Sequence, residues 1–449
     1  MASNESKLIK LLIFSESKNI KWLQYIMDEF CRIEKAIFSI DVKVYDQRLE
    51  RDEESLYYLS GAESDVFQCP NYNLSNSPKL KILDFKRFQI LDGTKCYSKY
   101  WVDYDLFWNA FFYLSRLHEY KLSQNGFQTR GYSFRTMMPN NFRWDIPHVN
   151  FLFREFKIKL KSRFPFLKFK KEVKAILELS HDLDYIKKNS VLILKQTLFN
   201  GFNFIKNPSL KSLDRVFNFP FSKSNYWNFD YWQEVESRYK FKSIFYVYSK
   251  IKFGLRQIIL DPSYDISNNK KLIEKLIEIK KEGWHIGLHG SFYSYNNFNL
   301  MKAEKNQLED KLKFEINKNR QHWLNYDERL TPKFHQELFE IDSTLGWNNC
   351  IGFRASVASK YRPYDHLKNK PFQYFIIPQA IMDSNIYDYG NGKELEKIES
   401  GIEMIDTCSK LKNTEFSISW HSRTCSKDYN WSFGYLELIK NFQNSSRES

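Results

Sequence analysis

The chain has 449 residues, 42% hydrophobic and 17% aromatic, and a net charge of +14. It exceeds one average domain in length, and its apolar content excludes a largely disordered chain. The charge favours acidic partners (phosphate, anionic lipid heads, acidic glycans), but no zinc-finger spacing, basic zipper or RNP-type motif accompanies it, so no nucleic acid partner is expected.

Residues 7–14 predict a strand, 22–33 a helix with Leu23, Ile26, Met27 and Phe30 on one face, and 36–45 a second strand. Leu106, Ala110, Phe111, Leu114 and Leu117 recur at helical spacing, predicting a helix over 105–120 with a core-facing aromatic stripe. The basic, irregular stretch 162–171 around Pro165 reads as a linker. Residues 1–165 are therefore expected to form a smaller α/β or α+β domain of unknown role. Strand 175–180 follows, then an aromatic, Asn-rich segment of helix plus loop, helix 229–238 and strand 243–248. Helix 271–282, with Leu272, Ile273, Leu276 and Ile279 inward, ends at Gly283, and 284–288 is the next strand. This alternation implies a parallel sheet, open or closed into a barrel, with active residues at the strand C-terminal ends.

The six cysteines, Cys31, Cys69, Cys96, Cys350, Cys408 and Cys425, form no C-x-x-C and suit reduced thiols. The run 8–14 contains Lys10 and is too short for a signal core, and no apolar stretch approaches eighteen residues. The expectation is a soluble, cytoplasmic protein whose positive charge allows peripheral contact with the inner membrane.

The chemistry centres on His181-Asp182-Leu183-Asp184. Along a strand Asp182 and Asp184 face the same way. Two such carboxylates are stable together only with a cation, a shared proton or a hydrogen-bond network. A metal site is one reading, a solvated strand end with an Asx turn the other. Polar residues then recur past apolar runs: His289 after Ile286-Gly287-Leu288, Arg354 after Ile351-Gly352-Phe353, Asp383 after 375–382, and His421 after 416–420. Arg320, Gln321 and His322 follow a helix rich in Glu and Lys. In a parallel sheet these residues would converge on one rim. His285 stands four residues before His289, but Gly283 ends the helix, so His285 reads as structural.

Ser180-His181-Asp182-Leu183-Asp184-Tyr185, the segment 283–293, Arg320-Gln321-His322-Trp323-Leu324, residues 342–346, Gly352-Phe353-Arg354-Ala355 and Trp420-His421-Ser422 follow in that order. The set resembles the polysaccharide deacetylase family (NodB homology, carbohydrate esterase type 4), in particular a bacterial branch with a separate N-terminal domain. The resemblance covers about 170–445 well and 1–165 more weakly. It implies an incomplete, distorted (β/α) barrel of NodB type and a hydrolase that removes an N- or O-acetyl group from a sugar, acting on an acetylated glycan or lipid-linked sugar of surface polysaccharide metabolism. It also implies a divalent metal, commonly zinc. By the same resemblance Asp182 is the catalytic base, Asp184 and His289 are metal ligands, Arg320 orients the base, Asp383 belongs to the fourth motif, and His421 protonates the leaving group. Arg354 is the alternative to Arg320 for holding Asp182 ionised.

Two departures stand out. Leu183 separates aspartates that are adjacent in the family, so Asp182 and Asp184 could exchange roles or both touch the metal, and Tyr293 stands where its second metal histidine is usual. His322 or Ser291 could complete the ligand set. If neither does, the chain would be a catalytically degenerate glycan-binding protein on the same scaffold. A basic protein that binds nucleic acid or an anionic membrane is the third reading, and it requires a steep salt dependence.

Overall fold

The structure, a computed structural model, describes residues 9–46, 48, 55–60, 67–69, 106–124, 143–206, 208, 210–251, 254–389 and 392–448. Positions 7 and 8 of the first expected strand, position 105 of the expected helix and Cys96 lie outside them.

Near the N-terminus four strands form a parallel sheet in the order Phe38–Val44, Ile9–Ser15, Leu56–Ser60, Phe67–Cys69. Leu11 and Ile13 alternate inward, and the helix Ile20–Ile33 buries Leu23, Ile26, Met27 and Phe30, the face that the sequence predicts. The expected helix 105–120 is instead two, Leu106–Leu114 and Leu117–Gln124. The break falls at Arg116, whose φ is +51°. Its guanidinium is buried and ion-paired with Glu119 and Glu328, contacts that help hold a backbone conformation L-residues rarely adopt. The apolar core here also takes in Tyr326, Leu345, Val357, Tyr361, Tyr364 and Tyr374, so residues far along the chain complete it.

The larger sheet has eight strands, and every ladder in it is parallel. Its order is Phe375–Ile376, Ile341–Asp342, Lys318–Gln321, His285–Gly290, Ile244–Tyr248, Ile176–Leu183, Glu415–Ser419, Gln379–Met382. The two edge strands are nearly consecutive in sequence, separated only by Ile377 and Pro378. So short a step spans on the order of 10 Å at full extension. The sheet must therefore curl until its edges almost meet, yet no ladder joins them. Pro378 has no N–H to offer, and its carbonyl accepts from Ser417 N at 2.8 Å. This is the incomplete (β/α) barrel expected from the sequence. Helices Phe229–Arg238, Lys270–Lys281 and Glu394–Leu411 cover the outside through Trp232, Leu272, Leu276, Ile279 and Met404.

The segment 351–354, expected to end a strand, is irregular. Gly352 has φ +132°, and a Cβ there would lie 2.4 Å from the carbonyl of Trp144. Its neighbour Phe353 donates its N–H to that carbonyl at 2.8 Å. Gly352→Ala is expected to cost about 1–3 kcal/mol, read as a lower urea midpoint. An unchanged midpoint would mean that this close approach is not maintained.

Candidate metal and catalytic site

Asp182 lies within the strand Ile176–Leu183 and Asp184 just beyond its end. Between them Leu183 turns the other way, into the apolar core. His181 also points away: its Nδ1 meets the Trp420 carbonyl at 2.9 Å and its Nε2 meets Glu236 at 2.7 Å. The alternation predicted from the sequence therefore leaves both carboxylates on the site side, both buried.

The two have different partners. Arg320 reaches Asp182 from the strand Lys318–Gln321, and its Nη1 donates to Asp182 Oδ1 at 2.9 Å and to Ser419 Oγ at 2.6 Å. Its Nε donates to the Ser343 carbonyl and its Nη2 to Ser343 Oγ, both at 3.1 Å. The guanidinium carbon lies 4.4 Å from the centre of the Tyr246 ring. Burial pushes the Asp182 carboxyl up, but Arg320, with His289 and His421 behind it, outweighs burial and holds the group below the usual carboxylate range.

Asp184 faces imidazoles. His289 Nδ1 lies 3.0 Å from the Arg320 carbonyl, which can only accept, so Nδ1 carries the hydrogen. Its Nε2 then turns toward Asp184 Oδ1, 3.3 Å away. His322 is pinned in the same way: its Nδ1 lies 3.3 Å from Asp261 Oδ1, and its Nε2 lies 3.6 Å from Asp184 Oδ1. In the neutral ring, each Nε2 is a lone pair opposite an acceptor oxygen. Asp184 Oδ1 and His289 Nε2 are buried with no hydrogen-bond partner. Such an arrangement is repulsive unless a cation or a proton stands between the atoms. Asp184, His289 and His322 each offer an atom within 4.8 Å of the others, so the donor set fits a divalent metal. Beside this group the Ser291 backbone N–H donates to Glu304 at 3.2 Å.

On the other side of Asp184, Arg423 Nη1 donates to Oδ2 at 2.8 Å, and His421 Nε2 lies 3.3 Å from the same oxygen. His421 is fixed by Asp383, which accepts from its Nδ1 at 2.8 Å and from its backbone N–H at 2.9 Å. Burial opposes charging of this ring, but Asp383 and Asp184 outweigh it and raise its pKa to about 9. For Asp184, burial is likewise outweighed, by His421 and His322 with Arg423 behind them, and the carboxyl sits well below the usual range.

Of the residues expected from the sequence, Asp182, Asp184, His289, Arg320, His322, Asp383 and His421 come together. Arg354 does not. Its guanidinium forms a two-pronged pair with Glu119, at 3.1 and 2.8 Å, and so ties the helix Leu117–Gln124 to the irregular segment 351–356. The physical reason is that no strand precedes Arg354 to aim it at the rim. Sequence reasoning missed Asp261 and Arg423. Asp261 also accepts the Phe292 N–H at 2.7 Å, but nothing in its local sequence marks it. Arg423 stands two residues past His421, a proximity that could have drawn notice.

No family model matches the chain, and no curated protein matches it. Among solved structures, it is similar to a polysaccharide deacetylase candidate from Mycobacterium smegmatis, at 12% identity over 61% of this chain and 85% of the other, with a TM-score of 0.38. It is also similar to a polysaccharide deacetylase from Bacillus cereus, at 10% identity over 60% and 88%, TM-score 0.28. A third is a mutant of a CE4-family pseudoenzyme with restored activity, at 7% identity over 62% and 64%, TM-score 0.28.

Two outcomes follow from the geometry. Arg320→Met leaves Asp182 charged and buried without its partner, and the expected loss is about 3–5 kcal/mol in urea denaturation; a loss below about 1 kcal/mol would mean that the pair does not hold the barrel interior. Asp261→Asn, which weakens the grip on His322, is expected to lower metal affinity about 10–100-fold in competition with a chromogenic chelator.

Proposed function

We propose that the chain is a metal-dependent hydrolase that removes an N- or O-acetyl group from a sugar of surface polysaccharide metabolism. The observation that carries this reading is the division of the Asp182/Asp184 pair: one carboxylate is held by a buried arginine, the other turned toward two imidazoles, with its Oδ1 and the His289 Nε2 left unsatisfied. Asp184, His289 and His322 would hold the cation, and two imidazoles with one carboxylate suit zinc. When bound, a divalent cation there supplies Lewis acidity, polarising an acyl carbonyl and acidifying water.

Asp182 is the residue to accept the proton. Arg320 keeps it ionised and aimed, and also makes it a weak base, one that needs an acidified donor. His421 is the residue to return a proton to the leaving amine or alcohol. A cation on Asp184 would draw off that carboxylate's charge, which leaves Asp383 as the group that keeps the His421 ring protonated. Asp383 also fixes the tautomer, so that Nε2 faces the site. His322 offers the nitrogen that Tyr293 lacks, which favours catalysis over a glycan-binding role.

Purified protein is expected to carry about one divalent metal per chain by mass spectrometry, lost in His289→Ala. Asp182→Asn and His421→Ala are each expected to slow acetate release from N-acetylated glycans by about 10²–10⁴-fold, with the fold intact by circular dichroism. Unchanged turnover in both variants, or no affinity for any divalent metal, would reject the reading.

A further inference from the structure

Directly after Asp184 the chain leaves the barrel for an excursion that ends at the helix Phe229–Arg238. Its first helix, Ser190–Lys206, has 17 residues. At 3.6 residues per turn, Val191, Leu194, Leu198 and Ile205 fall within a stripe about 60° wide. These four side chains are 38–77% exposed, whereas Leu192 on the inner side is 2% exposed. The following helix, Leu210–Asn218, packs against the first, and Phe217 at its end and Phe221 beyond it are 63% and 84% exposed. Single exposed apolar residues are ordinary; a helical stripe of four, with two exposed phenylalanines on and just beyond the helix packed against it, marks an interaction surface.

Charge indicates the occupant. Residues 187–223 contain seven lysines and arginines against one acidic residue, Asp214. Lys188 is drawn inward to Asp428, at 3.0 Å. A second copy seated on this surface about a two-fold axis would bring basic segment against basic segment. An anionic lipid surface attracts it, by about 1 kcal/mol for each basic residue near the headgroups. No helix among the described residues is long and apolar enough to cross a membrane, so the matching geometry is a helix lying in the interface. The same helix is linked to the site: Lys195 Nζ donates to the Tyr185 hydroxyl at 3.0 Å, and the Tyr185 ring lies 5.2 Å from the Arg423 guanidinium, which holds Asp184.

We propose that the helix Ser190–Lys206, with Phe217 and Phe221, docks the protein on an anionic bilayer and sets the rim of the barrel beside the headgroups, where an acetylated sugar carried on a lipid would be presented. The substrate clause rests on the deacetylase reading; the docking surface does not.

The test uses the full chain and vesicles of phosphatidylcholine alone or mixed equally with phosphatidylglycerol. Co-sedimentation is expected with the mixed vesicles only, and to fall as salt is raised. The double variant Leu194→Glu/Leu198→Glu, at exposed positions, is expected to bind at least ~10-fold more weakly while releasing acetate from a soluble acetylated sugar as the parent does. Phe217→Glu/Phe221→Glu serves as an independent pair should the first not fold. Absence of binding, equal binding by correctly folded variants, or a parental dimer that these substitutions dissolve in sedimentation velocity would overturn the proposal. Binding as expected without acetate release from any acetylated sugar would uphold the docking surface and overturn the deacetylase reading.

Discussion

One charge pair, Arg320 with Asp182, sets the terms for the rest of the barrel. Both groups are buried, and an unpaired charge in that position would cost several kcal/mol. The guanidinium avoids this by using its donors on partners from different parts of the wall: Asp182, Ser419, and the carbonyl and hydroxyl of Ser343. The face of Tyr246 closes one side. At this level the interior is filled by a cation and its acceptors where apolar side chains would serve a purely structural barrel. The polar filling constrains how far apart the contributing strands can lie and keeps one aspartate in its charged form.

The neighbouring layer repeats a single device three times. Each of His289, His322 and His421 has one ring nitrogen secured by an acceptor: the Arg320 carbonyl, Asp261 and Asp383 respectively. The second nitrogen of each then turns toward Asp184. Orientation is thus supplied from behind, by groups that would not meet a substrate. The two oxygens of Asp184 divide the surroundings, with Oδ1 toward His289 and His322 and Oδ2 toward Arg423 and His421. Under the proposed reading, that division would separate a place for a cation from a place for a proton donor.

Local pattern made part of this legible. The Asp-Leu-Asp spacing placed two carboxylates on one face because strand alternation is a backbone property that tertiary context seldom overturns. His289 and His421 stood out because each follows an apolar run that did become a strand, and Asp383 because its run, though split between the two edge strands, ends in one. Arg354 followed such a run too, but Gly352 adopts a positive φ, and the segment bends to meet Trp144 instead of joining the sheet. The partner that captures Arg354 is Glu119, 235 residues away, and no local signal announces a pairing of that range. The apolar spacing through 106–120 is real, yet a buried arginine ion-paired with Glu119 and Glu328 interrupts the helix that it predicts. Asp261 escaped for a similar reason: it follows a short helix, Leu255–Leu260, and only the fold brings it behind His322. The linker expected at 162–171 overlaps the last two residues of the helix His148–Arg163, and side chains from beyond residue 320 still complete the core on its N-terminal side.

The two-residue bridge at Ile377 and Pro378 has a consequence for the integrity of the wall. A sheet of this size would ordinarily present two open flanks, each able to recruit a foreign strand. Here the chain itself fastens one flank to the other, as a clasp fastens a bracelet. Lengthening the clasp by a few residues would let the rims drift apart without removing one native side chain. The spacing between Arg320 and its acceptors would then be lost through slack in the main chain, and a barrel held shut by covalent tether would become a loose, adhesive ribbon.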